Sequence, residues 1–242
     1  MSLFLSRTLW RSGLLKAVIS LLILSTTVAF FLSSTDIGAK NKLFFDLLLF
    51  IHSFFLHLVA LLFAYELTKN DTISKLSRVF LATKLSRNGY ETARFLAIII
   101  AILPIGVALI ALDLIIATPL VAYQTFLYLL SSILCGFLVL VFSRFVSPTA
   151  AALYALAVVI IGNGLDELYI YATINKSSTL DLMAQVLYVA FPNFSIYDNS
   201  SEVVAGVVHN SFLLFVLPNI YFLLLGGALL ALSSWRFGKK AI

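Results

Sequence analysis

The residues of this chain best suited to chemistry are few, and most lie inside apolar stretches. His52 and His57 share one such stretch, five residues apart, with Ser53 beside the first. At helical pitch they stand about 140° apart around the axis, so they do not share a face. A two-histidine metal site on that helix is disfavoured, and polar packing or the lining of a wet cavity is expected. Three acids come next. Asp113 lies near the end of one apolar run. Asp166 and Glu167 lie near the end of another, beside Asn163 with Gly162 and Gly164 on either side of it. A charge at a helix centre in lipid costs roughly 2.5–3.5 kcal/mol or more. The simpler expectation is that these acids reach the headgroup zone and are solvated. The functional expectation is an acidic ring at the exit of a pathway, with the glycines loosening the helix there.

Other catalytic apparatus is missing from the sequence. It holds no G-x-x-x-x-G-K-[ST] phosphate loop, no G-x-S-x-G elbow and no H-E-x-x-H pair. Gly238-Lys239 lies at the chain end with no strand before it. The single cysteine, Cys135, sits inside an apolar run, where it reads as a small buried hydrophobe. The chain is therefore expected to hold no metal or cofactor of its own and not to hydrolyse ATP itself.

The elements that must position these residues follow from composition. Of 242 residues, 62% are hydrophobic and 11% charged, against roughly 25% charged in a soluble domain. A water-exposed surface cannot be built from that supply. A transmembrane helix needs about 20 mostly apolar residues. Six stretches qualify: Leu14–Leu32, Leu43–Ala64, Phe95–Ala117, Val121–Phe142, Thr149–Tyr171 and Ser211–Ser233. The first is too long for a signal-peptide core and reads as an uncleaved span. The net charge of +5 comes from Lys and Arg flanking these spans, so it indicates topology and not nucleic acid. Arg7, Arg11, Lys16, the basic residues from Lys69 to Arg94, Arg144, Arg236, Lys239 and Lys240 fall on one side. Only Lys40, Lys42 and Lys176 fall on the other. Both termini are thus expected in the cytoplasm. The expected fold is an all-α membrane protein of one domain, 1–242, with an interfacial arm over 1–13.

Two connections are long enough to carry function. Over 66–94, Leu76, Val79 and Phe80 recur at helical spacing among basic residues, which predicts an amphipathic helix beneath the membrane. Over 173–210 the chain is apolar for a loop yet too interrupted to span. It reads as a re-entrant segment dipping into the outer leaflet, which survives at depth only if protein covers it.

Taken in order, these features resemble the type-2 ATP-binding-cassette permeases, the membrane subunits of ATP-driven exporters. The likeness rests on Tyr65-Glu66, Thr72-Ile73, Leu81-Ala82, Lys84-Leu85-Ser86-Arg87, Tyr90 and Ala93-Arg94 around the inner connection. It rests also on Phe191-Pro192-Asn193-Phe194 with Glu202-Val203-Val204 and Gly206 in the outer one. The outer stretch is similar to the branch grouped with permeases for copper-enzyme maturation. The chain departs from the pattern at Lys84, where the family has proline, and at Ala93-Arg94, where it has Gly-Lys. The interval from Thr72 to Arg87 is also about four residues longer, one helical turn.

The resemblance implies a bacterial inner-membrane subunit working as a dimer with a second copy or homologue and with two separate ATPase subunits, which supply ATP and Mg. It implies that Glu66, Thr72, Leu76, Arg78, Val79, Phe80, Lys84 and Arg87 belong to a coupling helix seated on the ATPase. It implies a pathway lined by the second and fifth spans, hence His52, Ser53, His57, Asn163 and Asp166, with Asp113 and Glu167 near its exit. The cargo expected is lipid-like or amphiphilic. Competing expectations are a secondary transporter or channel with Asp113 and Asp166 as relays, and an intramembrane enzyme using His52, His57 or Glu167. The sequence shows no internal repeat of the kind secondary transporters carry.

Overall fold

The computed structural model describes residues 40–74, 86–175, 178–205 and 215–239, together with 13, 16, 19, 20, 22–24, 26 and 27. Among these residues the chain is helical apart from short turns, and no strand occurs. The helices are α1 Lys40–Ser74, α2 Arg87–Ile116, α3 Pro119–Phe142, α4 Pro148–Asn163, α5 Leu165–Ile174, α6 Ser178–Ala190, α7 Ser200–Ala205 and α8 Leu217–Lys239, with a 3-10 turn at Ser195–Tyr197. Five candidate spans are long and apolar enough to cross a bilayer: Phe44–Asp71, Asn88–Ile116, Pro119–Phe142, Pro148–Ile174 and Leu217–Arg236. The chain is a multi-pass, all-helical membrane protein. The expected first span, 14–32, and the arm 1–13 lie mostly outside the described residues. Those described between 13 and 27 are helical.

Local sequence sets the helix starts. Ser86 accepts from the Gly89 amide at 3.0 Å to open α2, and Thr118 accepts from Val121 at 3.3 Å to open α3. Ser147 accepts from Ala150 at 3.4 Å to open α4. Each of these oxygens satisfies an amide that the first helical turn leaves without a partner. Pro119 and Pro148 follow two of the caps, where a missing N–H costs nothing.

Three expected boundaries are corrected. α1 does not stop near Ala64 but continues to Ser74, because Leu67 and Thr68 stay buried against neighbours. α1 thus extends into the segment read as 66–94, of which residues 75–85 lie outside the described residues. The fifth span breaks at Gly164 into α4 and α5, with the Gly164 amide shared between the carbonyls of Ile160 and Ile161. α8 runs to Lys239, past the expected Ser233.

α3 is the hub. It packs against α1, α2, α4 and α8 and is buried along nearly its whole length. In lipid, helices associate through close packing and hydrogen bonds more than through the hydrophobic effect. Small residues permit that approach: a Cβ on Gly136 would come 2.9 Å from Ile98 Cγ2 and 3.6 Å from the Ala60 carbonyl oxygen. By contrast α4 and α8 turn Leu153, Tyr154, Ile160, Leu223 and Leu224 outward, faces suited to hydrocarbon.

The helix ends gather at two poles. At one, the C-terminal end of α1 meets the start of α2, the end of α3 and the end of α8; it carries most of the Lys and Arg among the described residues and is called the basic end. At the far end the 3-10 turn packs against α3 and α8, α7 packs against α1 and α3, and α5 and α6 pack against each other. α6 has 13 residues, short of the about 20 needed to cross.

Candidate functional site

Polar side chains inside the bundle form three groups, and each joins helices distant in sequence. The central group lies on α1, α2 and α3. His52, Asp113 and Thr125 are all fully buried. Thr125 Oγ1 donates to Asp113 Oδ2 at 2.5 Å. His52 Nδ1 stands 3.3 Å from that same oxygen and 3.3 Å from Thr125 Oγ1. Asp113 is therefore not solvated in a headgroup zone as the simpler expectation had it. Its position one turn before the α2–α3 connection directs it inward, where α3 offers a hydroxyl. Half a turn round α1 from His52, the half-buried His57 contacts the Ser53 carbonyl through Nδ1 at 2.8 Å. Its Nε2 lies 2.9 Å from Ser131 Oγ on α3. The two histidines present different faces, as their spacing requires, yet both reach α3.

The far-end group seats the outer segment. Gln124 on α3 donates through Nε2 to the Tyr197 carbonyl at 2.7 Å and accepts from the Asn199 amide at 3.3 Å. Tyr128 donates to Asp198 Oδ1 at 2.9 Å. Phe191-Pro192-Asn193-Phe194 packs against α4 and α8. The Phe194 amide donates to the Gly162 carbonyl at 3.2 Å, the Asn193 amide donates to Tyr221 Oη at 2.8 Å, and Phe194 is fully buried. A Cβ on Gly162 would lie 2.4 Å from the Pro192 carbonyl oxygen and 2.8 Å from the Phe194 ring. Gly162 is thus glycine because two backbones meet there. Asp166 accepts hydrogen bonds from Tyr188 and Ser195, so it fastens the outer segment. Burial, followed by the Asp166 carboxylate, pushes the Tyr188 phenol up to about 12. Burial also raises the Tyr197 phenol.

The expected acidic ring is not assembled. Asp113 is enclosed by α1 and α3, Asp166 is tied to the outer segment, and Glu167 is exposed, as is Asn163. Among the described residues no group of three or more His, Cys, Asp and Glu is placed to hold a metal ion.

The third group lies at the basic end, and sequence reasoning missed most of it. Glu91 on α2 is fully buried. It accepts from Arg94 Nη1 at 3.5 Å, from Arg144 Nη2 and from Ser233 Oγ on α8 at 2.6 Å. Asp71 on α1 accepts from Tyr90 Oη at 2.5 Å and lies 3.9 Å from Arg94 Nε and 4.0 Å from Arg144 Nη1. Two carboxylates thus face two guanidiniums. Burial pulls the Arg144 guanidinium down, while Asp71 and Tyr90 draw it back up. Arg144 reads in sequence only as a topology marker. The signal present in the sequence is Glu91-x-x-Arg94 at the entrance of an apolar helix, an i,i+3 pair that a lipid-facing position would not tolerate.

Of the residues assigned to coupling, Glu66 is half-buried on α1. Thr72 ends that helix's last turns and Arg87 begins α2, their side chains not being described. Leu76, Arg78, Val79, Phe80 and Lys84 lie outside the described residues.

No family model matches this chain. Neither a curated protein nor a solved structure matches it either.

Proposed function

We propose that this chain is the membrane subunit of an ATP-driven exporter. Its basic end lies in the cytoplasm, and it works as a dimer with two separate ATPase subunits on an amphiphilic or lipid-like cargo. The observation that carries the reading is the buried network at the basic end. The connection 75–86 joins α1 to α2, and within one or two turns of its ends stand Asp71 and Tyr90, Glu91 and Arg94. Those residues are bonded to Arg144 beyond α3 and Ser233 on α8. A force applied to the connection would therefore reach four spans at once. Such a contiguous chain of bonded groups is a physical route for coupling.

The sequence supports the same division of labour: it lacks a phosphate loop, and the connection combines apolar anchors with Arg78 and Lys84, followed by Arg87 at the start of α2. Apolar anchors would give affinity for an ATPase groove and charges would orient it. The six-span, N-in and C-in topology and the inner-membrane location belong to this proposal. The test is copurification from the native membrane. An ATPase subunit should come down with the tagged chain and be lost when Leu76, Val79 and Phe80 are changed to Asp. Transport that persists without any ATPase, or residues 75–85 labelled from outside the cell, would overturn it.

A further inference from the structure

We propose that His52, Asp113 and Thr125 form an intramembrane proton-binding site in which the imidazole and the carboxylate hold one proton between them. The inference stands apart from coupling to an ATPase, since no step of it uses nucleotide.

Donor counting comes first. The Thr125 hydroxyl has one proton and gives it to Asp113 Oδ2. Its oxygen can then only accept toward His52 Nδ1. The contact of His52 Nδ1 with Asp113 Oδ2 at 3.3 Å takes one N–H, which a neutral imidazole protonated on Nδ1 supplies. The site then carries one net negative charge, and one further proton, held on Nε2 or on the carboxyl, makes it neutral. The two placements of that further proton carry the same net charge, so it belongs to the pair and not to either group.

Charge comes second. Without that proton the site would keep a net negative charge in a fully buried position, its carboxylate bonded to one hydroxyl and one imidazole N–H and to no cation, which is costly. α3 carries no Lys or Arg. Arg94, the next cation along α2, is nineteen residues away, about 28 Å of helix.

Of the remaining titratable groups on the neighbouring elements, those whose side chains are described are engaged elsewhere or stand apart; the side chains of Lys40 and Lys42 on α1 and of Glu202 are not described. His57 contacts Ser131, Tyr128 bonds Asp198, and Tyr123 receives a hydrogen bond from Asn219. Asp46 is exposed on α1 and Cys135 lies more than two turns along α3. Tyr154 is exposed on α4, and Glu202 sits on α7, which packs against both α1 and α3.

The third observation distinguishes a site from a structural bond. His52 Nε2 and Asp113 Oδ1 are buried and have no partner among the described residues. Buried polar atoms in a finished structural network are nearly always satisfied. Two open valences on the two proton-holding groups leave each a point from which the proton can be delivered by water or returned to it. Release leaves neutral imidazole and a carboxylate, and the proton goes to water. It also restores a net negative charge buried between α1 and α2, so occupancy of the site biases how those helices pack.

The experiment uses the full chain in lipid nanodiscs without an ATPase. Histidine ring nitrogens are followed by nitrogen-15 NMR, with His52 assigned by H52Q, and the Asp113 carboxyl is followed by infrared difference spectroscopy. Both should change in one shared pH step releasing about one proton per chain. The step should vanish in D113N and survive in E167Q. Separate steps for the two groups, or no joint step over the pH range in which the protein stays folded, would overturn the proposal. So would displacement of the step by sodium at constant pH, which would mark a metal-cation site. If D113N does not fold, H52Q decides: the Asp113 carboxyl change should be lost there, and its persistence at the wild-type pH would overturn the proposal.

Discussion

The two ends of the bundle are built from different materials. The basic end is held by full charges, Asp71 and Glu91 against Arg94 and Arg144, all on or beside the ends of spans. The far end is held by backbone and by neutral donors, some of them bonded to the carboxylates of Asp166 and Asp198, with Gln124, Tyr128 and Gly162 receiving an irregular segment. Charged groups at the same distance interact more strongly than amides, but each is ruinous when its partner is lost. Backbone contacts are individually modest and hold one geometry. The basic end is thus suited to discrete rearrangement of whole helices. The far end is suited to keeping a cover in place.

That contrast can be broken experimentally. The largest effect is expected from E91A, which leaves Arg94 and Arg144 buried without their shared acceptor. A loss of roughly 3–5 kcal/mol should appear as a lower thermal midpoint of the detergent-solubilised chain, with the far end no more open to protease. G162A should cost roughly 1–3 kcal/mol through overpacking, because its Cβ meets a backbone carbonyl that cannot swing aside. Its signature is new cleavage within 178–205 while the basic end stays protected. Equal opening of both ends by either variant would erase the distinction.

Y128F removes one bond to Asp198 and should cost about 0.5–1.5 kcal/mol, visible as faster amide exchange around the 3-10 turn. The smallest effect is alkaline. Tyr188 is raised from 10.0 to about 12, so the unfolded or detached segment loses its phenol proton first as pH rises. The contribution of Tyr188 is complete below about pH 10 and is lost between there and about pH 12. Alkali should therefore loosen the outer segment in wild type and loosen it less in Y188F across that window, where the raised Tyr197 phenol still contributes.

The helical class and five of the spans are legible in the sequence, because long apolar runs with basic flanks leave little alternative. The seating of Phe191–Phe194 is legible too, as an apolar stretch too short to cross and needing cover. The burial of Asp113 is not, because position along a helix says how deep a residue lies and not which way it points. Its inward direction depends on Thr125, which only the turn between α2 and α3 brings opposite. Glu91 and Asp71 escape a sequence reading for a related reason. They lie twenty residues apart in sequence, and their partnership passes through Arg144 and Tyr90. Gln124 carries a usable signal: an amide inside a span is a demand for a partner.

That demand has a consequence for how the protein is made. α3 is delivered to the membrane before the residues that complete it, since Tyr197, Asn199 and the whole of α8 come later in the chain. For the interval of synthesis that separates them, the Gln124 amide is a polar group stranded in lipid, with His52, Asp113 and α2 already present and the lid not yet arrived. A nascent chain stalled after α4 should be the form that chaperones and quality-control proteases find.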